Sequence, residues 1–297
     1  MCPPSPNPEP GYSWFPGHMR RAMRLLESDL KLADAVLVVL EARLPDSSRH
    51  PELEQRLLSR GRPLVYVLNK ADLADPGVTD RWLAHFRSLG QHAVALDSVH
   101  GKGAGPLRPT LEALRERVTR QRHSKGLQER LPRLIVVGIP NTGKSALLNR
   151  LVGRHQARTG DRPGVTRGKQ WVVAAGQWQV LDTPGILYPR IDGLDRLAAL
   201  AAAGCVREEA IPVEEAAGHL LVRLLELGKI EVFSSAEGLP AEPQAVLEET
   251  GRRKGYLLKG ARVDTERTAR WVLQTFREGR AGRISLEMPP AHDPTRP

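Results

Sequence analysis

Short, continuous apolar runs recur along the first half of the chain: Ala35–Leu40 (AVLVVL), Pro63–Leu68 (PLVYVL), Ala93–Leu96 (AVAL) and Leu134–Val137 (LIVV). Unbroken runs of this length suit strands buried on both faces. Helical periodicity fills the intervals. Met19, Met23, Leu26 and Leu30 fall at i, i+4, i+7 and i+11 of a helix over Met19–Leu32, and shorter helices are predicted near Glu52–Ser59 and Thr79–Leu89. The β-α-β-α alternation predicts a parallel sheet with helices on both faces. A helix starting near Lys144 and strands near Trp171–Ala174 and Gln179–Leu181 extend the pattern. From about Leu194 onward the pattern is helical and contains no buried-strand run, so a domain boundary is placed between 188 and 206.

Length and charge refine this division. The 297 residues suggest two domains at roughly 150 residues each. A net charge of +10 makes a polyanion a plausible partner, nucleic acid before an anionic membrane. Two cysteines, Cys2 and Cys205, exclude a disulfide scaffold and a cysteine-based zinc site. The longest apolar run, Leu197–Val206, is too short to span a bilayer. The Pro-rich start has neither a basic n-region nor an apolar h-region and no Arg before Arg20, so a cytoplasmic protein is expected. Residues 100–133 hold nine Lys/Arg against three Asp/Glu; Leu111–Glu129 within them reads as a solvated surface helix and linker.

Gly138-Ile139-Pro140-Asn141-Thr142-Gly143-Lys144-Ser145 matches GxxxxGK[ST] in full, after a predicted strand and before a predicted helix. In that setting the backbone amides of Asn141, Thr142, Gly143, Lys144, Ser145 and Ala146 face phosphate oxygens, and the helix N-terminus adds a positive dipole end. Lys144 is expected to reach the β- and γ-phosphates and Ser145 to ligate Mg²⁺. Asp182-Thr183-Pro184-Gly185 follows Ser145 by 37 residues at a strand end. Asp182 there can hold Mg²⁺ through water, and the Gly185 amide can sense a γ-phosphate. Thr166, in the polar stretch between these motifs, is the expected switch threonine and a third metal ligand, with Thr159 the alternative.

Asn69-Lys70-Ala71-Asp72 follows the Pro63–Leu68 run, and NKxD at a strand end is the guanine-reading element of GTPases. Asp72 can accept from the N1–H and the 2-amino group of guanine; adenine would leave the carboxylate unpaired, a mismatch that discriminates by about 10⁴ or more. Asn69 and Lys70 brace the loops and cover the base. Ser98 and Val99, after Ala93–Leu96, fall where a second base loop belongs, with Ser98 contributing backbone contact. The guanine element here precedes the phosphate loop by about 70 residues, the reverse of the common order. A circular permutation, with motif order G4-G5-G1-G2-G3, explains this without changing the fold: the usual termini join through 100–133 and the chain opens after DTPG.

The sequence resembles the RbgA/YlqF family of circularly permuted ribosome biogenesis GTPases. The resemblance is carried by Trp14-Phe15-Pro16-Gly17-His18-Met19, Glu41-Ala42-Arg43-Leu44-Pro45, NKAD, the phosphate loop and DTPG. Towards the C-terminus it is carried by Arg252-Arg253-Lys254-Gly255, Lys259-Gly260, Asp264, Thr268-Ala269, Phe276-Arg277-Glu278-Gly279 and Gly282-Arg283. Glu41 stands where the family has Asp. The resemblance implies an α/β parallel-sheet GTPase domain followed by a small all-helical domain, and GTP hydrolysis during maturation of the large (50S) ribosomal subunit. The expected divisions are a flexible arm (1–13), the GTPase domain (14–190), a linker (191–206), a helical RNA-binding domain (207–288) and a disordered tail (289–297).

Ile186 and Leu187 stand where other GTPases carry a water-orienting Gln. The resemblance implies a catalytic His from elsewhere, which is His18, brought near the γ-phosphate by the permutation. Asn141 resembles the Asn of GTPases that use K⁺ as an activator; plain loop hydrogen bonding is the alternative. Residues 250–288 hold ten Lys/Arg and four Asp/Glu. A helix over Thr265–Arg277 has Ala269, Val272, Leu273 and Phe276 on one face and a basic face opposite. A solvated face is the simpler reading of the charges alone. The resemblance, to an antiterminator-like helical domain, makes Arg252, Arg253, Lys254, Lys259, Arg270 and Arg277 RNA-contacting candidates through phosphates. The leading expectation is an assembly factor that binds precursor 50S particles with GTP. The alternatives are a non-ribosomal RNA-binding GTPase switch, an accessory G domain of an RNA-remodelling factor, and a membrane signalling switch, the last without a lipidation motif.

Overall fold

The computed structural model describes residues 28–152, 171–174, 177–182, 191, 193–233 and 242–290. These fall into two compact units, one within 21–187 completed by residues from 283 onward, the other within 188–282.

The first unit is built on six strands: β1 (Ala35–Glu41), β2 (Leu64–Asn69), β3 (His92–Leu96), β4 (Arg133–Val137), β5 (Val172–Ala174) and β6 (Trp178–Asp182). Their order across the sheet is β3-β2-β1-β4-β6-β5. The first five in that order run parallel, so their C-terminal ends share one edge. Only β5 runs antiparallel, against β6. Three residues separate β5 from β6, a connection that permits a hairpin and is too short for a crossover.

The apolar runs divide between faces with a period of two. Val36, Val38, Leu40, Tyr66 and Leu68 point to one side, where they meet Leu53 and Leu57 of α1 (Pro51–Ser59) and Val78, Trp82 and Phe86 of α2 (Pro76–Ser88). Leu37, Val39, Val65, Val67 and Val136 point to the other, against α3 (Leu107–Ser124) and α4 (Lys144–Val152). The basic segment expected to be a solvated helix and linker is therefore also a structural layer. Leu107, Leu111, Leu114 and Val118 form a buried stripe of α3, while Arg108, Arg117 and Arg120 are exposed. The stretch joining α3 to β4 is pinned by Asp34. Its carboxylate pairs with Arg122 at 3.3 Å and Arg130 at 2.8 Å, and accepts the Arg133 amide at 2.8 Å.

The second unit is helical: α5 (Leu194–Ala202), α6 (Val213–Glu226), α7 (Pro243–Lys254) and α8 (Thr265–Arg277). The predicted face of α8 is buried as Ala269, Val272, Leu273 and Phe276, joined by Thr268 and Thr275. Asp264 caps this helix by accepting the Arg267 amide at 2.9 Å. The structure draws two of the expected divisions differently. Residues 194–202, placed in a linker, form α5, because Leu197, Leu200 and three alanines give it a face to bury. Residues 283–288 pack with the sheet unit, through Ile284, Ser285 and Leu286.

Candidate nucleotide site

A parallel sheet delivers its loops to one edge, and here β1 lies between β2 and β4. The loop after β2 (Asn69–Asp72) and the loop after β4 (Gly138–Ser145) thus emerge two strand spacings apart, roughly 10 Å. Although inverted in sequence, the two motifs meet at the same place.

Asn69 joins them directly. It is 2 % exposed, and its side-chain amide donates to the Thr142 carbonyl at 2.7 Å while its oxygen accepts the Ser98 amide at 3.0 Å. One side chain therefore fixes the phosphate loop, the guanine element and the second base loop relative to each other. Gly143 makes this approach possible: its φ is +89° and a Cβ there would collide with the Asn69 amide. A Cβ on Gly138 would likewise strike the Val39 carbonyl.

The phosphate loop is closed on itself. Lys144 donates from Nζ to the Ile139 carbonyl at 2.8 Å, and Thr142 Oγ1 donates to the same carbonyl at 3.0 Å. Ser145, at the start of α4, is exposed. Asn141 is also exposed and left-handed, at φ +58°, a conformation Asn tolerates. Ala146 follows in the first turn of α4.

At the base end, Lys70 is left-handed as well, at φ +59°. Its ammonium lies 2.7 Å from the fully buried carboxylate of Glu41, which also takes Arg43 Nε at 2.8 Å. Burial alone would raise the Glu41 pKa. The Arg43 and Lys70 charges outweigh that penalty and hold the carboxyl below the ordinary range. The loop after β3 is shaped by Asp97, whose Oδ1 accepts the amides of Val99 (2.8 Å) and His100 (3.0 Å) and whose Oδ2 meets His100 Nδ1 at 2.6 Å. Burial raises the Asp97 pKa, and these bonds more than offset it, leaving the carboxyl low. Asp72 is half-buried, with a carboxylate oxygen within 4.8 Å of Asp97 and of His100. Ser98 is 4 % exposed, and its Oγ has no hydrogen-bond partner among the described residues. Arg150, on α4, donates to the carbonyls of Ser98 at 2.9 Å and Val99 at 3.0 Å. Sequence reasoning missed Asp97 and Arg150; Asp97 could have been found as an Asx turn two residues before Val99.

Ser145 alone of the expected metal ligands has a described side chain, and its hydroxyl oxygen suits a hard cation such as Mg²⁺. His18, Thr166, Thr159, Gly185 and the side chain of Asp182 lie outside the described residues.

The basic candidates of the helical unit separate into two groups. Arg277 donates to the carbonyls of Ala201 (2.8 Å) and Ala202 (3.2 Å), at the C-terminal end of α5, where a cation is favoured, and pairs with Glu208. Arg253 donates to the Phe233 carbonyl at 3.0 Å. Arg252, Lys254, Lys259 and Arg270 are exposed, though Arg252 also pairs with Glu248, and Arg270 with Glu208 and Glu266. Lys254 stands over the Trp271 ring at 4.4 Å.

Comparison with known proteins fits this geometry. Residues 133–229 match the family described as 50S ribosome-binding GTPase. Ribosome biogenesis GTPase A of Bacillus licheniformis is 38 % identical over 282 residues, covering 93 % of this chain and 98 % of that one. The protein of the same name from Thermotoga maritima is 32 % identical, covering 93 % and 94 %. The crystal structure of GNP-bound YlqF from T. maritima superposes with a TM-score of 0.63 at 29 % identity, covering 91 % of this chain and 99 % of that one.

Two predictions follow from the base end. Replacing Asn69 with Ala leaves the buried Ser98 N–H and Thr142 carbonyl unmatched, each costing about 1–3 kcal/mol. We expect a loss of about 2 kcal/mol or more in urea unfolding and a fall in GDP affinity of about tenfold or more; unchanged GDP affinity would refute the bridging role. Glu41 sets a pH dependence of known sign. Its contribution is fully present above the ordinary carboxylate value and is lost as pH falls through its lowered folded value. Glu41→Gln removes that share and strands the buried Arg43 charge, so it destabilises by about 3–5 kcal/mol. It should also flatten the fall in urea midpoint between about pH 6 and pH 3; a variant with the parent's acid slope would contradict the assignment.

Proposed function

The chain belongs to the ribosome biogenesis GTPase A family, and on that premise we propose that it binds precursor large ribosomal subunits in its GTP form, promotes a late maturation step and leaves after hydrolysis. It is a GTPase. The observation that carries the reading is Asn69 holding the phosphate loop and the guanine element together, so that one nucleotide spans both.

At the base end, Asp72 accepts from the N1–H and 2-amino group of guanine, Lys70 covers the ring, and the Ser98 and Val99 segment contacts the base edge. At the phosphate end, the amides of 141–146 receive the phosphates. Lys144 exchanges the Ile139 carbonyl for the β- and γ-phosphates, a cheap move because the carbonyl is a neutral acceptor and the phosphate an ionised one. Ser145, Thr166 and Asp182 would hold Mg²⁺, Asp182 through water. When bound, the ion neutralises charge on the β- and γ-oxygens. The Gly185 amide reports the γ-phosphate. His18 positions the attacking water, and K⁺ beside Asn141 is proposed as an activator.

Exposed Arg252, Lys254, Lys259 and Arg270 support an RNA-facing role through phosphates, with Arg253 and Arg277 available only beyond their bonds within the helical unit. The proposed action on ribosomal precursors supports a cytoplasmic location; separately, no described helix is long and apolar enough to cross a membrane.

Sedimentation with precursor 50S particles tests the partner. Co-migration is expected with a non-hydrolysable GTP analogue and not with GDP, weakening steeply as salt rises; equal co-migration in both nucleotide states would refute the switch. His18→Ala should keep GTP affinity while single-turnover hydrolysis slows by about 10²–10⁴-fold. Equal single-turnover rates would remove His18 from the mechanism.

A further inference from the structure

Residues 283–287 bind the sheet unit on the loops that follow β1 and β2. Arg283 donates from Nη2 to the Ala71 carbonyl at 2.9 Å and from Nε to the Ala74 carbonyl at 2.9 Å. The Ile284 amide donates to the Leu73 carbonyl at 3.1 Å, and the Asp75 amide donates to Ser285 Oγ at 3.1 Å. Four bonds thus bracket Asp72, one before it and three after. Farther on, the Leu286 amide donates to the Arg43 carbonyl at 2.7 Å. Trp82 Nε1 donates to the Glu287 carbonyl at 3.1 Å, and the Glu287 carboxylate accepts the Asp46 and Ser47 amides at 2.7 and 3.1 Å.

Burial of Ile284 and Leu286, each 4 % exposed, accounts for the attachment of this strap. It does not account for Arg283. That residue is exposed, and the carbonyl of half-buried Ala71 could be hydrated without it. What a guanidinium does that water does not is to hold two acceptors in one plane at a fixed separation. The two acceptors here stand on either side of Asp72, so the fork sets the course of the backbone that carries the guanine-reading carboxylate. Asp75 then caps α2 immediately after the loop, through the Val78 amide at 3.0 Å, so the downstream end is fixed too.

We infer that Arg283 is a positioning residue for guanine recognition: by clamping the Ala71 and Ala74 carbonyls it sets the direction in which Asp72 meets the N1–H and 2-amino group of the base. The inference rests on the reading of Asp72 as the guanine acceptor. It makes base specificity depend on a residue more than 200 positions downstream, one peptide bond beyond Gly282, where the helical unit ends.

The test compares GDP with inosine diphosphate, which lacks the 2-amino group, on the full chain. The parent should prefer GDP by about tenfold or more, the worth of one hydrogen bond to an ionised acceptor. Arg283→Gln should weaken GDP by about tenfold and shrink the preference towards unity, because a misdirected carboxylate loses the two-point contact first. Arg283→Lys, which keeps the charge and can serve one carbonyl, should fall between them. Because Arg283 is exposed, both variants should unfold near the parent's urea midpoint. Equal loss of affinity for both nucleotides, or a GDP preference left intact in both variants, would overturn the inference. A parent that does not distinguish the two nucleotides would instead fail the reading of Asp72, and the inference with it.

Discussion

The nucleotide site depends on one buried amide. Asn69 donates to the phosphate loop and accepts from the second base loop, and both bonds are made away from water. A carboxamide can do both at once because its donor and acceptor are separate groups that point to different partners. Asp would lose the donor, and Gln would not fit against Gly143, where even a Cβ would collide. The bridge in turn requires that β2 and β4 flank β1 with their C-terminal ends aligned, which parallel pairing of all three enforces. Sheet order, strand direction and one asparagine together explain how two motifs in inverted succession come to one place.

The permutation is tolerated because strands pair by register and burial, not by rank along the chain. Its cost falls on the new connection. Here the segment between β3 and β4 is not slack: α3 buries four apolar side chains on the sheet, and Asp34 collects Arg122, Arg130 and the Arg133 amide where the connection re-enters β4. A carboxylate with three donors at a chain junction fixes the start of β4 and with it the height of the phosphate loop.

Much of the fold was legible in the sequence because it is written in local periodicity. Doubly buried strands read as continuous apolar runs, and α8 read from Ala269, Val272, Leu273 and Phe276 at helical spacing. The two nucleotide motifs were legible because phosphate and guanine demand particular groups at fixed spacing. What escaped is held by long-range contact. Nothing near Arg150 announces that it will meet the Ser98 and Val99 carbonyls, and nothing near Arg283 announces Ala71 and Ala74. The reading of 100–133 as a solvated surface helix and linker was incomplete for a related reason: its charge count hid four apolar positions at helical spacing. Arg277 was legible as a cation and not as the group that closes the carbonyl end of α5, since that end is set by a helix some 75 positions away.

These tethers are unevenly distributed. The guanine loop is held by Asn69 towards the phosphate loop, by the Glu41 ion pair with Lys70 towards β1, and by Arg283 and Ile284 towards the C-terminal strap. The loop after β3 is held by Asp97 from within and by Arg150 from α4. The phosphate loop instead closes on itself, with Lys144 parked on a neutral carbonyl that a phosphate can displace. Two left-handed non-glycine residues, Lys70 and Asn141, mark the two ends, and only the first is locked by an ion pair with a fully buried carboxylate. On the proposed reading, base recognition would be pre-organised, with its ordering cost met during folding. The Lys144 contact to a neutral carbonyl is one that the proposed phosphate recognition could exchange. The tethered loop that carries Asp72 and the self-closed loop that carries Lys144 are the rigid and the adjustable halves of the proposed site, and the sheet edge is what keeps them in register.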